Sequence, residues 1–189
     1  MTADLDIQAI REALRNIPED QAQHGTEPPQ PDHIYVVSGH ERALNPDTSL
    51  VVGDRGTGKS FWSAALSGET TRQLISRQFP RLNLDTVDVC WGFASGADSN
   101  AAFPTRRVLV KLIRDGFDPE DIWRAVILHQ LCQASEQPGL EGTWRDRVTA
   151  IADDPEMEEN RLAEIDRELT RRGRKSLVVF DGLDRLAYD

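Results

Sequence analysis

GDRGTGKS, residues 53–60, lies between an apolar run that ends at Val52 and a second apolar stretch that begins at Phe61. Gly56 and Gly58 allow backbone conformations that are closed to residues with a Cβ atom. Successive N–H groups can then point inward around a phosphate, supported by the positive end of a following helix. The stretch matches G-x-x-x-x-G-K-[ST] and predicts a loop that binds the phosphates of a nucleotide.

The side chains of this loop suggest separate roles. Lys59 is predicted to reach the β- and γ-phosphate oxygens, and the Ser60 hydroxyl is predicted to ligate Mg²⁺. The alternative is a chance glycine turn with an exposed lysine, but the flanking strand-like and helix-like patterns favour the phosphate loop. The other residues predicted to contact the nucleotide are Gly53, Arg55, Gly56, Thr57, Gly58 and Phe61.

A second motif, SLVVFDGLDRL, occupies residues 176–186. Four apolar residues precede Asp181, as is typical of a strand buried on both faces of a parallel sheet. An acid at the carboxyl end of such a strand can orient the Mg²⁺ that a phosphate loop holds. An ordinary buried strand ending in a turn is the alternative. This alternative is less favoured, because the two motifs independently predict the same site.

Composition and charge narrow the class of protein. The chain has 189 residues, enough for one domain with a sizeable core. Its net charge of −10 argues against a protein that coats nucleic acid with its whole surface. The net charge therefore gives no indication of a nucleic-acid partner. A basic helix face formed by Arg107, Lys111 and Arg114 is interpreted as a solvated face.

Several features predict a cytoplasmic protein without membrane contact. Cys90 and Cys132 lie in apolar stretches and are predicted to be buried free thiols, which suits a reducing compartment. The acidic amino terminus lacks the basic region of a secretory signal. No apolar run approaches the roughly 20 residues that span a bilayer. The four histidines lack metal-ligand spacing, so no zinc site is predicted.

Periodicity and turn signals predict the order of elements. Residues 1–30 are assigned to an amphipathic helix followed by a proline-rich linker, and residues 31–189 to a single domain. Strands are expected at residues 33–37, 49–52 and 87–93, with helices after the loop and over residues 69–79. A mostly helical insertion is expected at about 94–175. It includes a helix that follows Pro104 and ends at Gly116, a helix opened by Asp118-Pro119, and a helix opened by Asp154-Pro155 and closed by Gly173.

With its two motifs, the sequence resembles the P-loop NTPases. The segment LVVFDGLDRL further resembles the Walker B motif of the STAND and KAP branches, relatives of the AAA+ ATPases. Asp181, Gly182, Leu183, Asp184 and Arg185 match that pattern position by position. The resemblance implies a three-layer α/β core with a parallel sheet. It also implies ATP and Mg²⁺ at the carboxyl ends of the strands, and a switch that controls assembly.

The sequence departs from the family pattern in two ways. Gly182 stands where many AAA+ enzymes carry a glutamate, so Asp184 is the nearest candidate to position water. The strands that follow Walker B in the family are missing, and one of them would lie between the loop strand and the Walker B strand. The chain therefore resembles the front part of a longer protein, or one whose sheet is completed by a partner. We expect it to self-associate and to hydrolyse ATP negligibly by itself.

Several functions remain open at this point. The first is an Mg²⁺-dependent ATPase or ATP-gated switch, in which Lys59, Asp181 and Asp184 carry the chemistry, while Ser60 and Asp181 hold the metal. The second is a phosphotransferase, in which a small substrate replaces water and the helical insertion forms a lid. The third is nucleotide binding without turnover. Because the sequence has no N-K-x-D motif, ATP is favoured over GTP.

Overall fold

The computed structural model describes residue 11, residues 26–94 and residues 101–186, except for the side chain of Arg185. Arg11 is helical. The rest of the predicted amphipathic helix and most of the proline-rich linker lie outside the described residues.

Two parallel strands form the sheet of the described region. Strand β1 spans Val87–Ala94 and strand β2 spans Lys175–Asp181, and they pair from the first residue of each to the last. The pairing register shifts between Trp91 and Phe93. Both strands were predicted from their apolar, β-branched residues. The described region is therefore of mixed α/β class, with a parallel strand pair.

Besides Arg11, six α-helices lie within the described ranges, and four of them connect β1 to β2. None of the described helices combines the length and the apolar character needed to cross a bilayer. In chain order, the helices are α1 (Lys59–Ser67), α2 (Glu69–Gln78), α3 (Arg106–Arg114), α4 (Pro119–Ala134), α5 (Trp144–Asp153) and α6 (Pro155–Arg171).

Local chemistry fixes the ends of the connecting helices. The Asp118 carboxylate accepts a hydrogen bond from the Glu120 N–H at 2.8 Å, and Asp154 accepts one from Met157 at 2.9 Å. A proline follows each of these caps, at a position where a missing N–H costs nothing. Gly116, at φ 89°, follows α3 as predicted. These four connecting helices therefore have boundaries encoded by a few residues each.

Helices pack against both faces of the strand pair. Leu177 packs with a cluster that includes Ala65 and Leu66 of α1, whereas Phe180 packs with a larger cluster built mainly from α3 to α6. Leu177 and Phe180 are an odd number of residues apart, so their side chains point to opposite faces of β2. Helix α1 and the connecting helices thus lie on different sides of the sheet.

The predictions of strands at residues 33–37 and 49–52 are wrong. Residues 34–37 are irregular between two short 3₁₀ turns, and residues 49–52 have no regular secondary structure. The side chains of Leu50 and Val52 are 77% and 83% exposed. An apolar run needs a neighbouring strand to become part of a sheet, and within the described residues neither segment has one.

We expect this exposed segment to cause self-association. The outer edge of β2 is unpaired within the described region, and no residue of β2 is fully buried. An open sheet edge and exposed apolar residues each favour association between molecules. Replacing both Leu50 and Val52 with serine should shift sedimentation velocity profiles toward monomer. The matched control is Ile113→Ser, at an apolar residue of α3 that is 54% exposed.

The control variant should sediment like the unmodified chain. A chain that is monomeric at every concentration, before any substitution, would contradict the prediction.

Candidate functional site

The loop before α1 has the backbone conformation that its glycines predict. Gly56 and Gly58 have φ angles of 87° and 83°, both in the left-handed region that favours glycine. Gly58 is also the N-cap of α1, so the helix begins directly after it, at Lys59. A side chain at either glycine would be strained. The structure therefore gives a physical reason for both residues.

The Thr57 side chain stabilises the loop by a hydrogen bond within it. Its Oγ1 donates a hydrogen bond to the Asp54 carbonyl at 2.9 Å. A Cβ atom at Gly53 would lie 2.9 Å from this Oγ1, closer than a side chain can be accommodated without movement. A larger residue at Gly53, the first glycine of the motif, would therefore force the Thr57 side chain to shift. From the sequence alone, Gly53 is assigned only because it occupies the first position of the motif.

The Lys59 ammonium group lies over the start of the loop. Its Nζ donates hydrogen bonds to the carbonyl of Gly53 at 2.5 Å and to that of Asp54 at 2.9 Å. An ammonium group carries three donors, so one remains after these two bonds. The lysine therefore ties the beginning of the loop to the first turn of α1, and its charge stays at the loop.

The first turn of α1 supplies a hydroxyl group and an aromatic support. Among the described residues, the Ser60 hydroxyl makes no hydrogen bond, and Ser60 and Phe61 are both half-buried. The Phe61 ring contacts Trp62 edge to face, with centroids 5.3 Å apart. Trp62 in turn contacts the His40 ring at 4.5 Å. Sequence reasoning missed His40 because nothing near it in the chain links it to the loop.

The two candidate acids lie in the second sequence motif, at and just after the end of β2. Asp181 is the last residue of β2 and is half-buried. Gly182 follows with a φ of 74°, and Asp184 is exposed on the 3₁₀ turn Leu183–Leu186. Neither carboxylate forms an ion pair or a hydrogen bond with the described residues. Both acids are therefore available to a ligand.

One apolar cluster joins the two halves of the candidate site. Leu177 of β2 packs against the cluster that contains Ala65 and Leu66 of α1, the helix that follows the loop. This contact places the loop helix directly on the strand that ends in Asp181. Residues 53–61 lie together because they are contiguous in the chain. Asp181 is linked to them only through the packing of β2 on α1.

Neither cysteine of the chain is suited to nucleophilic chemistry. Both are free thiols, with Cys132 buried and Cys90 half-buried. Burial raises the pKa of Cys90 to about 11 and also raises the pKa of Cys132. Each thiol therefore stays protonated at neutral pH, while the thiolate is the reactive form. In the part of the chain that is described, no three histidine, cysteine or acidic side chains are grouped to hold a metal.

Comparisons with protein-family models, with curated proteins and with solved structures find no match to this chain. Local geometry and sequence motifs are thus the basis for assigning a function.

Proposed function

We propose that this chain is an ATP-binding module of the P-loop NTPase type, built on a three-layer α/β core. A single observation carries the proposal. Two left-handed glycines, Gly56 and Gly58, lead directly into the amino end of α1, with Lys59 and Ser60 in its first turn. This arrangement offers backbone N–H groups, a helix dipole and a cation to a phosphate group at one place.

Mg²⁺ fits the oxygen donors at this site. Mg²⁺ prefers hard oxygen ligands and is commonly bound by one or two protein oxygens together with substrate phosphates. The Ser60 hydroxyl and the Asp181 carboxylate are such donors, and both are without partners among the described residues. We assign these two side chains to the metal, directly or through water. When bound, the metal would neutralise charge on the phosphate oxygens.

We infer that the bound nucleotide is hydrolysed and that hydrolysis serves a switch. Asp184 is the candidate to orient the attacking water, because Gly182 supplies no side chain for that task. Lys59 contributes charge stabilisation at the β/γ-phosphates. The absence of an N-K-x-D motif from the sequence supports ATP rather than GTP.

Calorimetric titration of the chain with ATP, with and without Mg²⁺, tests the proposal. We expect one molecule of Mg·ATP to bind per chain, with weaker binding when the metal is chelated. GTP should serve as the comparison nucleotide, and its tighter binding would overturn the choice of ATP. Failure of either nucleotide to bind at millimolar concentration would overturn the assignment of the loop.

Substitutions of the two acids should have different effects. Asp181→Asn should weaken nucleotide binding in the presence of Mg²⁺ and leave binding in EDTA unchanged, because the carboxylate acts through the metal. Asp184→Asn should bind normally. Although the chain alone is expected to hydrolyse ATP very slowly, this substitution should lower that residual rate of phosphate release by about 10²-fold, as loss of a catalytic base or orienting group does. Phosphate release is measured with the protein in excess over ATP. An unchanged rate in Asp184→Asn would remove that residue from the mechanism.

Nucleotide binding without turnover is the second candidate function. The observation that favours it is the position of residues 49–52, which lead into the loop but are not paired with β2. Catalysis requires reacting groups to be held within fractions of an ångström, and an unpaired segment leading into the loop supports such positioning poorly. A chain that binds Mg·ATP and releases no phosphate would establish this second function.

A further inference from the structure

A polar cleft lies at the edge of the sheet opposite to Asp181. Its volume is about 520 Å³, within the range of roughly 300–1,000 Å³ typical of small-molecule sites. Asp88, the second residue of β1, and Arg174, directly before β2, are among its lining residues. Because the strands are parallel, this is the amino edge of the sheet, whereas Asp181 ends β2 at the carboxyl edge. The cleft is therefore separate from the proposed nucleotide site.

Arg72 of α2 is a buried cation in the wall of this cleft. It is only 8% exposed. Its Nη1 donates hydrogen bonds to the carbonyl oxygens of Leu66 at 2.8 Å and Ser67 at 3.3 Å, at the carboxyl end of α1. A guanidinium group has five N–H donors, so donors on Nε and Nη2 are not used by these bonds. No carboxylate of the described residues lies within ion-pair distance of Arg72.

The other arginines of the cleft already have acidic partners. Arg174 binds both carboxylate oxygens of Asp88. Arg172 pairs with Glu168 at 2.6 Å and with Glu136 at 3.6 Å. Arg72 is thus the one arginine lining the cleft without a contacting carboxylate in the described part of the chain. Burial lowers the pKa of Arg72, and the more distant charges of Asp88 and Glu69 oppose that shift.

The wall formed by α4 supplies a hydrogen-bond acceptor. Gln130 lines the cleft and is 3% exposed. Its Nε2 donates to the Ala102 carbonyl, so the amide oxygen remains as the acceptor of that side chain. A ligand that fits both walls would carry an anionic group for Arg72 and a hydroxyl or amino donor for Gln130.

We propose that this cleft binds a small organic anion, a hydroxylated or aminated compound whose carboxylate or phosphate group pairs with Arg72. A bidentate pair between a guanidinium group and such an anion is the strong form of this interaction, and a buried cation gains most from it. The cleft and the phosphate loop lie at opposite ends of α1, so this binding does not require ATP.

The test uses malate and glycerol 3-phosphate as probes, titrated calorimetrically into the unmodified chain at constant ionic strength. At least one probe should bind, and Arg72→Gln should weaken that binding about tenfold or more, as loss of a charge-assisted pair does. Arg77→Gln, an exposed arginine on the same helix, is the matched control and should bind normally. Lys59→Ala should also bind normally, which distinguishes this cleft from the phosphate loop.

Arg72 also holds the end of α1, so its substitution could unfold the protein. Ala134→Phe is the second variant, because it fills the cleft from α4 without touching that hydrogen bond. It should abolish probe binding and leave the melting temperature close to that of the unmodified chain. Probe binding that survives in Ala134→Phe, or absence of binding of both probes to the unmodified chain, would overturn the proposal.

Discussion

Lys59→Ala should weaken the binding of Mg·ATP by about 10- to 100-fold, the largest effect on nucleotide binding that we expect from a single substitution. The physical reason is the loss of a charge-assisted hydrogen bond to the β/γ-phosphates, which contributes roughly 1.5–3 kcal/mol. The chain has no other lysine in or next to the loop that could replace it. Isothermal titration calorimetry of the two proteins measures the difference.

Because Lys59 also binds the carbonyl oxygens of Gly53 and Asp54, the loop could change shape when the lysine is lost. Lys59→Arg keeps the charge and a long side chain and should recover part of the affinity. Lys111→Ala is the control, since Lys111 is an exposed lysine in α3 that pairs with Asp115 at 2.9 Å. Equal affinity in Lys59→Ala and the unmodified chain would remove the loop from nucleotide binding.

Gly92→Ala should destabilise the folded chain by about 1–3 kcal/mol, the cost typical of forcing an extra group into a packed interior. A Cβ atom at this position would lie 2.6 Å from Cε1 of Phe180. The ring cannot move freely, because it packs edge to face on Trp123 at 5.5 Å. For a chain of this size the melting temperature should fall by roughly 2–12 °C. Thermal denaturation followed by circular dichroism measures the shift.

Gly39→Ala is the matched control for this substitution. A Cβ atom there would meet nothing within 4 Å, so the change should be neutral or stabilise by about 0.4–1 kcal/mol through the unfolded state. Adding Phe180→Leu to Gly92→Ala should recover part of the lost stability, which shows that the two positions are coupled. A Gly92→Ala chain as stable as the unmodified one would contradict the proposed contact.

The sequence predicted elements whose signals are local. The helix opened at Asp118 was predicted from its cap and the proline that follows, and the helix opened at Asp154 from the same signals and a closing glycine. Helix α5 was not singled out, although Thr143 and Asp146 form reciprocal hydrogen bonds at its start. A pattern of threonine followed three residues later by an acid could have revealed it.

Predictions that depend on distant partners were less successful. The apolar runs at residues 33–37 and 49–52 have the composition of strands, but a strand exists only where another strand pairs with it. The same limit applies to the sites. The loop at residues 53–61 is contiguous and could be predicted as a unit, whereas the cleft joins Arg72, Asp88 and Gln130 from three different elements. No spacing in the sequence relates those three residues.

Helix α1 carries a different group at each of its ends. Its first turn holds Lys59 and Ser60, and its last carbonyl oxygens, those of Leu66 and Ser67, accept hydrogen bonds from Arg72. The two ends are about 13 Å apart, since each residue of a helix adds about 1.5 Å. Any displacement of α1 along its axis would therefore change the contacts at both of its ends. Thermodynamic linkage then makes the effect reciprocal: if occupation of the cleft changes the affinity of the loop by some factor, occupation of the loop changes the affinity of the cleft by the same factor.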